Sequence, residues 1–167
     1  MSLPEMVKIG PIGKDDEGFE WNVKGFDEIT RIYISYTPST IVSLQFKYTN
    51  LCARNVLSLQ YGKSNGSHFN VVSLDDSEYI TGVKGMFDRE KGIRSLTFIT
   101  DKRKFGPFGY IDGDDSAAGG SGKLINWPVC SYTPFDLQFG DSRRLAGFFG
   151  RLKDGQLTSI GVYLWTN

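Results

Sequence analysis

The sequence predicts an all-β chain: a β-prism of three four-stranded antiparallel sheets with a pseudo-threefold internal repeat. Three observations lead there. Short segments alternate apolar and polar residues with a period of two, and Gly, Asp, Asn or Pro lie between them. No window of eleven or more residues carries a helical period with caps. One motif recurs three times along the chain.

Taken in order, the strand signals are ITRIYISY (29–36), IVSLQFKY (41–48), GIRSLTFIT (92–100) and LTSIGVYLW (157–165), all rich in Ile, Val, Thr, Tyr and Phe. Three of them share apolar-x-Ser-apolar: Ile41–Leu44, Ile93–Leu96 and Leu157–Ile160. An apolar or aromatic residue follows two places later at Phe46, Phe98 and Val162. Upstream of each stands a related segment: EITRIYI (28–34), YITGVKG (79–85) and RLAGFFG (144–150). Aligning Ile32, Val83 and Phe148 places the matched Ser43, Ser95 and Ser159 at 11, 12 and 11 residues downstream. Each repeat is therefore a strand pair joined by a loop, with room beside it for two further short strands. Three sheets with apolar inner faces bury them against one another around a common axis. A sandwich or barrel fits the strands but leaves the threefold repetition unexplained.

Composition bounds the rest. At 167 residues the chain suits one domain, 1–167, with a core over 7–165, and can bury about two-thirds of its unfolded surface. Nineteen basic and nineteen acidic residues give zero formal charge, which argues against a dedicated nucleic-acid binder. No apolar run approaches the ~18 residues of a membrane-spanning helix. The start, MSLPEMVKIGPIG, lacks an apolar leader, so a cytoplasmic or nucleocytoplasmic location is expected. Cys52 and Cys130 form neither a disulfide framework nor a metal motif, and the single histidine, His68, sits in the turn-like KSNGSHFN (63–70). No metal, cofactor or catalytic constellation is expected. The pairs Asp75-Asp76 and Asp114-Asp115 lack the ligand spacing of a calcium loop.

The third repeat is preceded by a Gly/Asp-rich stretch, residues 110–132, whose first half cannot bury enough apolar surface to order itself. It is expected as a mobile loop insertion, with Trp127, Pro128 and Val129 as its return anchor. Trp21, Phe98, Phe108, Phe148 and Tyr163 are expected in the core. Phe105–Gly109 is expected as a turn after its strand, and Lys102-Arg103-Lys104 as a solvated one.

Four stretches together resemble the jacalin-related lectins, and within them the mannose-binding branch: KIGPIG (8–13), EYITGVKG (78–85), GIRSLTFITDKRKFGPFG (92–109) and LAGFFGRLKDGQLTSIGVYL (145–164). The resemblance implies a β-prism and carbohydrate binding without catalysis. It implies a sugar held at one end of the prism by three loops, mapped here to Gly13–Gly18, Met86–Lys91 and Arg151–Thr158. Sugars present clustered hydroxyls and C–H patches. A carboxylate accepts charge-assisted hydrogen bonds from adjacent hydroxyls, backbone N–H groups approach closely at glycine, and an aromatic ring covers the C–H face.

This chain departs from the family pattern in the loops themselves. Lys14 follows Gly13 where members commonly carry a second glycine. Thr158 stands where binding members usually place an aspartate, and a hydroxyl is a weaker acceptor than a carboxylate. Asp154, in Lys153-Asp154-Gly155, either replaces that carboxylate or belongs to a plain tight turn. Asp88 and Arg89 either face the sugar or form a solvated tip, and Phe87 is either a stacking platform or a core residue.

Two functions follow. The first is a non-enzymatic plant lectin for mannose- or glucose-type glycans, of the kind used in defence or stress responses, in which a single shallow site gains avidity through homo-oligomerisation. The second is a jacalin-like fold without ordinary sugar binding that acts as a protein-interaction module.

Overall fold

The computed structural model describes residues 5–111, 132–140 and 143–166. All regular structure among them is β. The expected 110–132 insertion and its anchor Trp127–Val129 fall almost wholly outside the described residues, as does Cys130; Cys52 is an exposed free thiol.

Twelve strands form three four-stranded antiparallel sheets. The first sheet is ordered β1 (Met6–Gly13), β12 (Gln156–Trp165), β11 (Leu145–Lys153), β2 (Phe19–Lys24). The second is β5 (Asn55–Leu57), β4 (Thr40–Asn50), β3 (Phe26–Thr37), β6 (His68–Ser73). The third is β10 (Thr133–Gln138), β7 (Ile80–Asp88), β8 (Gly92–Thr100), β9 (Lys104–Gly109). Each has a central hairpin, β11–β12, β3–β4 or β7–β8, flanked by two outer strands. The repeat read from the sequence is the register of these hairpins: Ile32 faces Phe46, Val83 faces Phe98 and Phe148 faces Val162.

Period-two alternation sends one face of every hairpin inward, where β4, β8 and β12 pack on one another. The core they enclose is aromatic at its centre. Phe148 stacks on Phe46 at 4.8 Å and meets Phe98 edge-on at 6.3 Å, and Phe26 leans on both Phe46 and Phe148. Trp21 extends this cluster by stacking on Tyr61 at 4.8 Å.

Four expectations need correction. Tyr163 is buried on the outer face of the first sheet, beside Phe149 and Trp165, with Lys8 and Lys24 lying over the aromatic rings. The lysine stems cover what would be an apolar outer surface. Phe108 is half-buried at the core's edge against Tyr36. Phe105–Gly109 belongs to β9, paired with β8, so the Gly-Pro in its middle stands in an edge strand. His68 opens β6 opposite Tyr36 and stacks on its ring.

Each hairpin also carries a bulge at the same place. Register passes from Ser35–Ser43 to Tyr36–Ile41, from Met86–Ser95 to Phe87–Ile93, and from Arg151–Ser159 to Leu152–Leu157. The extra residues are Val42, Arg94 and Thr158. A bulge re-aims side chains and bends the strand, and here it does so three times at one pole of the prism. Beside each bulge runs a glycine with positive φ: Gly62 (109°), Gly109 (95°) and Gly13 (112°). A Cβ on any of them would collide with the carbonyl oxygen of Val42, Arg94 or Thr158 respectively. Only glycine tolerates both the dihedral and the approach.

Candidate carbohydrate-binding site

The pole carrying the bulges brings together the sequence-predicted loops. Gly13 ends β1, and the next residue, Lys14, donates its backbone N–H to the Thr158 carbonyl at 2.8 Å. Gly92, at the start of β8, packs against the Thr158 backbone, and the Ile93 Cδ1 lies 3.0 Å from where a Gly13 Cβ would stand. Segments from the β1–β2, β7–β8 and β11–β12 connections therefore converge on Thr158.

Thr158 itself is 5% exposed, and its Oγ1 is buried without a hydrogen-bond partner. The counterpart bulge residue Arg94 is also buried. Its Nη1 and Nη2 donate to the carbonyls of Ser39 and Lys91, which ties the β3–β4 and β7–β8 turns together. Burial lowers the pKa of its guanidinium. With Val42 at the third bulge, none of the three equivalent positions carries a carboxylate.

Lys153 and Gln156 close a two-residue turn whose central residues, Asp154 and Gly155, both have positive φ, the type I′ signature of an Asp-Gly hairpin. The Asp154 side chain is exposed. The Gly155 carbonyl accepts the N–H of Lys63, which fastens this turn to the β5–β6 connection. Asp88 uses Oδ1 to accept the N–H groups of Glu90 and Lys91, so it holds its own turn. Arg89 is exposed at that tip. Phe87 is half-buried against the core, its ring 6.2 Å from Phe135.

A charge network laces the β1–β2 loop to β11. Lys14 Nζ contacts Asp16 at 3.2 Å and Glu17 at 3.5 Å, and Lys153 Nζ bonds the other Glu17 oxygen. Arg151 contacts Asp15 at 3.3 Å and Glu20 at 3.1 Å, and it donates to the Gly18 carbonyl. Ser159 Oγ donates to Asp15 Oδ1 at 3.1 Å. Hydrogen bonding to Asp16 raises the Lys14 pKa, while bonding to Lys14 lowers Asp16 and bonding to Lys153 lowers Glu17. Exposed pairs of this kind contribute little stability singly; their effect is to fix the loop's course.

Within the mapped loops the sequence reading did not single out Asp15, Glu17 or Arg151, and Phe19 lies just beyond Gly18. Phe19 is 81% exposed at the start of β2, opposite Leu152. Its signal was an apolar residue directly after a loop glycine. The others needed the β2–β11 register, which sequence spacing does not supply. Among the described residues no group of three or more His, Cys, Asp or Glu is placed to hold a metal ion.

The structure is a three-sheet prism whose loops meet at one pole, and comparison with known proteins specifies a carbohydrate-binding family. Residues 9–163 match the model of the jacalin-like lectin domain, and the chain belongs to that family. It is 35% identical over 164 residues to Jacalin-related lectin 24 of Arabidopsis thaliana, covering 96% of this chain and 68% of the relative. It is 32% identical over 168 residues to Protein RESTRICTED TEV MOVEMENT 1 of the same plant, covering 95% and 86%. Among solved structures, a mannose binding jacalin related lectin from Ananas comosus aligns with a TM-score of 0.71 at 28% identity, covering 95% of this chain and 96% of that one.

Proposed function

We propose that this chain binds mannose- or glucose-type glycans at the loop pole, without transforming them, in a plant-type defence or stress setting in the cytoplasm or nucleus. One observation carries the reading: the β1–β2 loop backbone, the β12 bulge and the start of β8 meet at Thr158. Gly13, Lys14, Lys153, Asp154, Gly155 and Thr158 belong to this meeting point or its rim, while Asp88 and Arg89 line the adjacent tip. The Ananas comosus relative, described as mannose binding, supports the choice of sugar. A single site of this size binds one sugar weakly, and self-association supplies avidity.

Isothermal titration of the purified chain with methyl α-D-mannopyranoside, methyl α-D-glucopyranoside and methyl α-D-galactopyranoside tests the reading. Saturable binding of the first two, with weaker or no binding of the third, is the expected result.

A second reading, a protein-interaction module, draws on a specific observation: Thr158 replaces the family's usual carboxylate and is buried. Absence of saturable binding for all three glycosides, combined with capture of a defined protein partner, favours it.

A further inference from the structure

The binding reading leaves open which carboxylate accepts the sugar hydroxyls. We infer that it is Asp15, and that the sugar bound at the loop pole reaches from there, past Asp15, into a small cleft on the outer face of the first sheet. This rests on the proposed function above. The cleft has a volume of about 110 Å³ and is lined by Lys8, Asp15, Glu20, Asn22, Phe149 and Tyr163 among others. That is room for a few waters, or for a hydroxyl-bearing edge of a pyranose.

Asp15 meets the requirements of an acceptor better than its competitors. Ser159 Oγ donates to its Oδ1 and Arg151 Nε stands 3.3 Å from the same oxygen. Two groups therefore orient the carboxylate, and Oδ2 is left uncommitted among the described residues. A pre-oriented carboxylate with one free oxygen accepts from two adjacent hydroxyls without first being ordered. Its side chain is 45% exposed, so a ligand can reach it. Ser159 directly follows Thr158, so the acceptor has moved from the bulge to the loop that faces it.

Asp154, by contrast, sits exposed on a type I′ turn, and among the described residues no side chain holds it. Thr158 is buried and neutral.

The rest of the cleft suits the same ligand. Lys8 Nζ, 4.5 Å from the Phe149 ring centre, supplies a donor. The Asn22 amide both donates and accepts. Glu20 gives Oε1 to Arg151 and keeps its second oxygen.

The test compares Asp15→Asn with Asp154→Asn by isothermal titration against methyl α-D-mannopyranoside and methyl α-D-glucopyranoside. Loss of a charge-assisted hydrogen bond predicts an affinity at least about tenfold weaker for Asp15→Asn, and a smaller loss for Asp154→Asn. Asn22→Tyr, which fills the cleft while leaving the Asp15 carboxylate in the sequence, is expected to weaken binding similarly, and its melting temperature reports whether the fold is intact. If the wild type binds and Asp15→Asn binds equally well, or Asp154→Asn alone loses affinity, the assignment to Asp15 is wrong while the lectin reading stands. If the wild type binds neither glycoside, the lectin reading fails and this inference with it.

Discussion

Lys14 donates its backbone N–H to the carbonyl of Thr158 at 2.8 Å, and Tyr110 makes the same bond to Arg94 at 2.9 Å in the symmetry-related place. The prism therefore builds its candidate site from a device it uses elsewhere: a glycine pressed on a bulge, with the following residue's N–H closing the contact. What distinguishes the first sheet is the loop that continues from Gly13, rich in charge and tied to β11.

Gly13→Ala places a Cβ against the Thr158 carbonyl and forces a left-handed φ on an alanine. A loss of about 2–4 kcal/mol in unfolding free energy is expected. Chemical denaturation measures it, and Gly109→Ala should give a loss of similar size.

Glu78 provides a pH handle. Its side chain is fully buried. It accepts two hydrogen bonds from Arg103 and one from Thr100 Oγ1, and it takes the Asp75 N–H. Arg103 foremost holds its pKa down to about 2, from 4.5. A depressed carboxyl stabilises the fold above its unfolded pKa, so this contribution is complete above about pH 4.5 and is lost as pH falls toward 2. Glu78→Gln should flatten that part of the stability profile and cost about 2–3 kcal/mol at neutral pH. Denaturant titrations between pH 2 and 7 show both effects.

Phe148 touches Phe46, Phe98 and Phe26 at the centre of the core. Phe148→Ala is expected to cost about 3–5 kcal/mol, read as a lower denaturation midpoint.

Thr158→Val removes a buried hydroxyl that has no partner while keeping the shape. Stability should be unchanged or rise by up to about 1 kcal/mol. Sugar affinity should be retained if the acceptor is on the facing loop.

The loop network responds to acid in a known direction. Asp16 and Glu17 have lowered pKa values through Lys14 and Lys153, so their pairs persist above the ordinary carboxylate range and dissolve as pH falls through the depressed values. Backbone amide protection factors, corrected for intrinsic exchange, at Lys14–Gly18 should fall as pH drops through those depressed values, with the global melting temperature little changed.

Much of the fold was legible because it rests on local pattern. Period-two alternation and the recurring Ser motif marked the three hairpins, and the structure pairs the marked residues as Ile32–Phe46, Val83–Phe98 and Phe148–Val162. What escaped depends on cross-strand register and on which face a residue takes. Arg103 read as a solvated turn because its partner Glu78 lies 25 residues away. Tyr163 read as core because alternation gives two faces and does not say that the outer one is roofed by Lys8 and Lys24. At the site, the loops were legible and their chemistry was not. The bulge that buries Thr158, and the Ser159 and Arg151 contacts that orient Asp15, appear only once β11 and β12 are paired.

The most direct test is a titration of methyl α-D-mannopyranoside into the ¹⁵N-labelled chain, followed by amide chemical shifts. Saturable shifts concentrated at Gly13–Gly18, Lys153–Ser159 and Gly92 are predicted. The claim is contradicted if no shift saturates, or if shifts cluster instead at the opposite pole, in the cavity of about 400 Å³ lined by Ile29, Tyr79, Ile80 and Leu145.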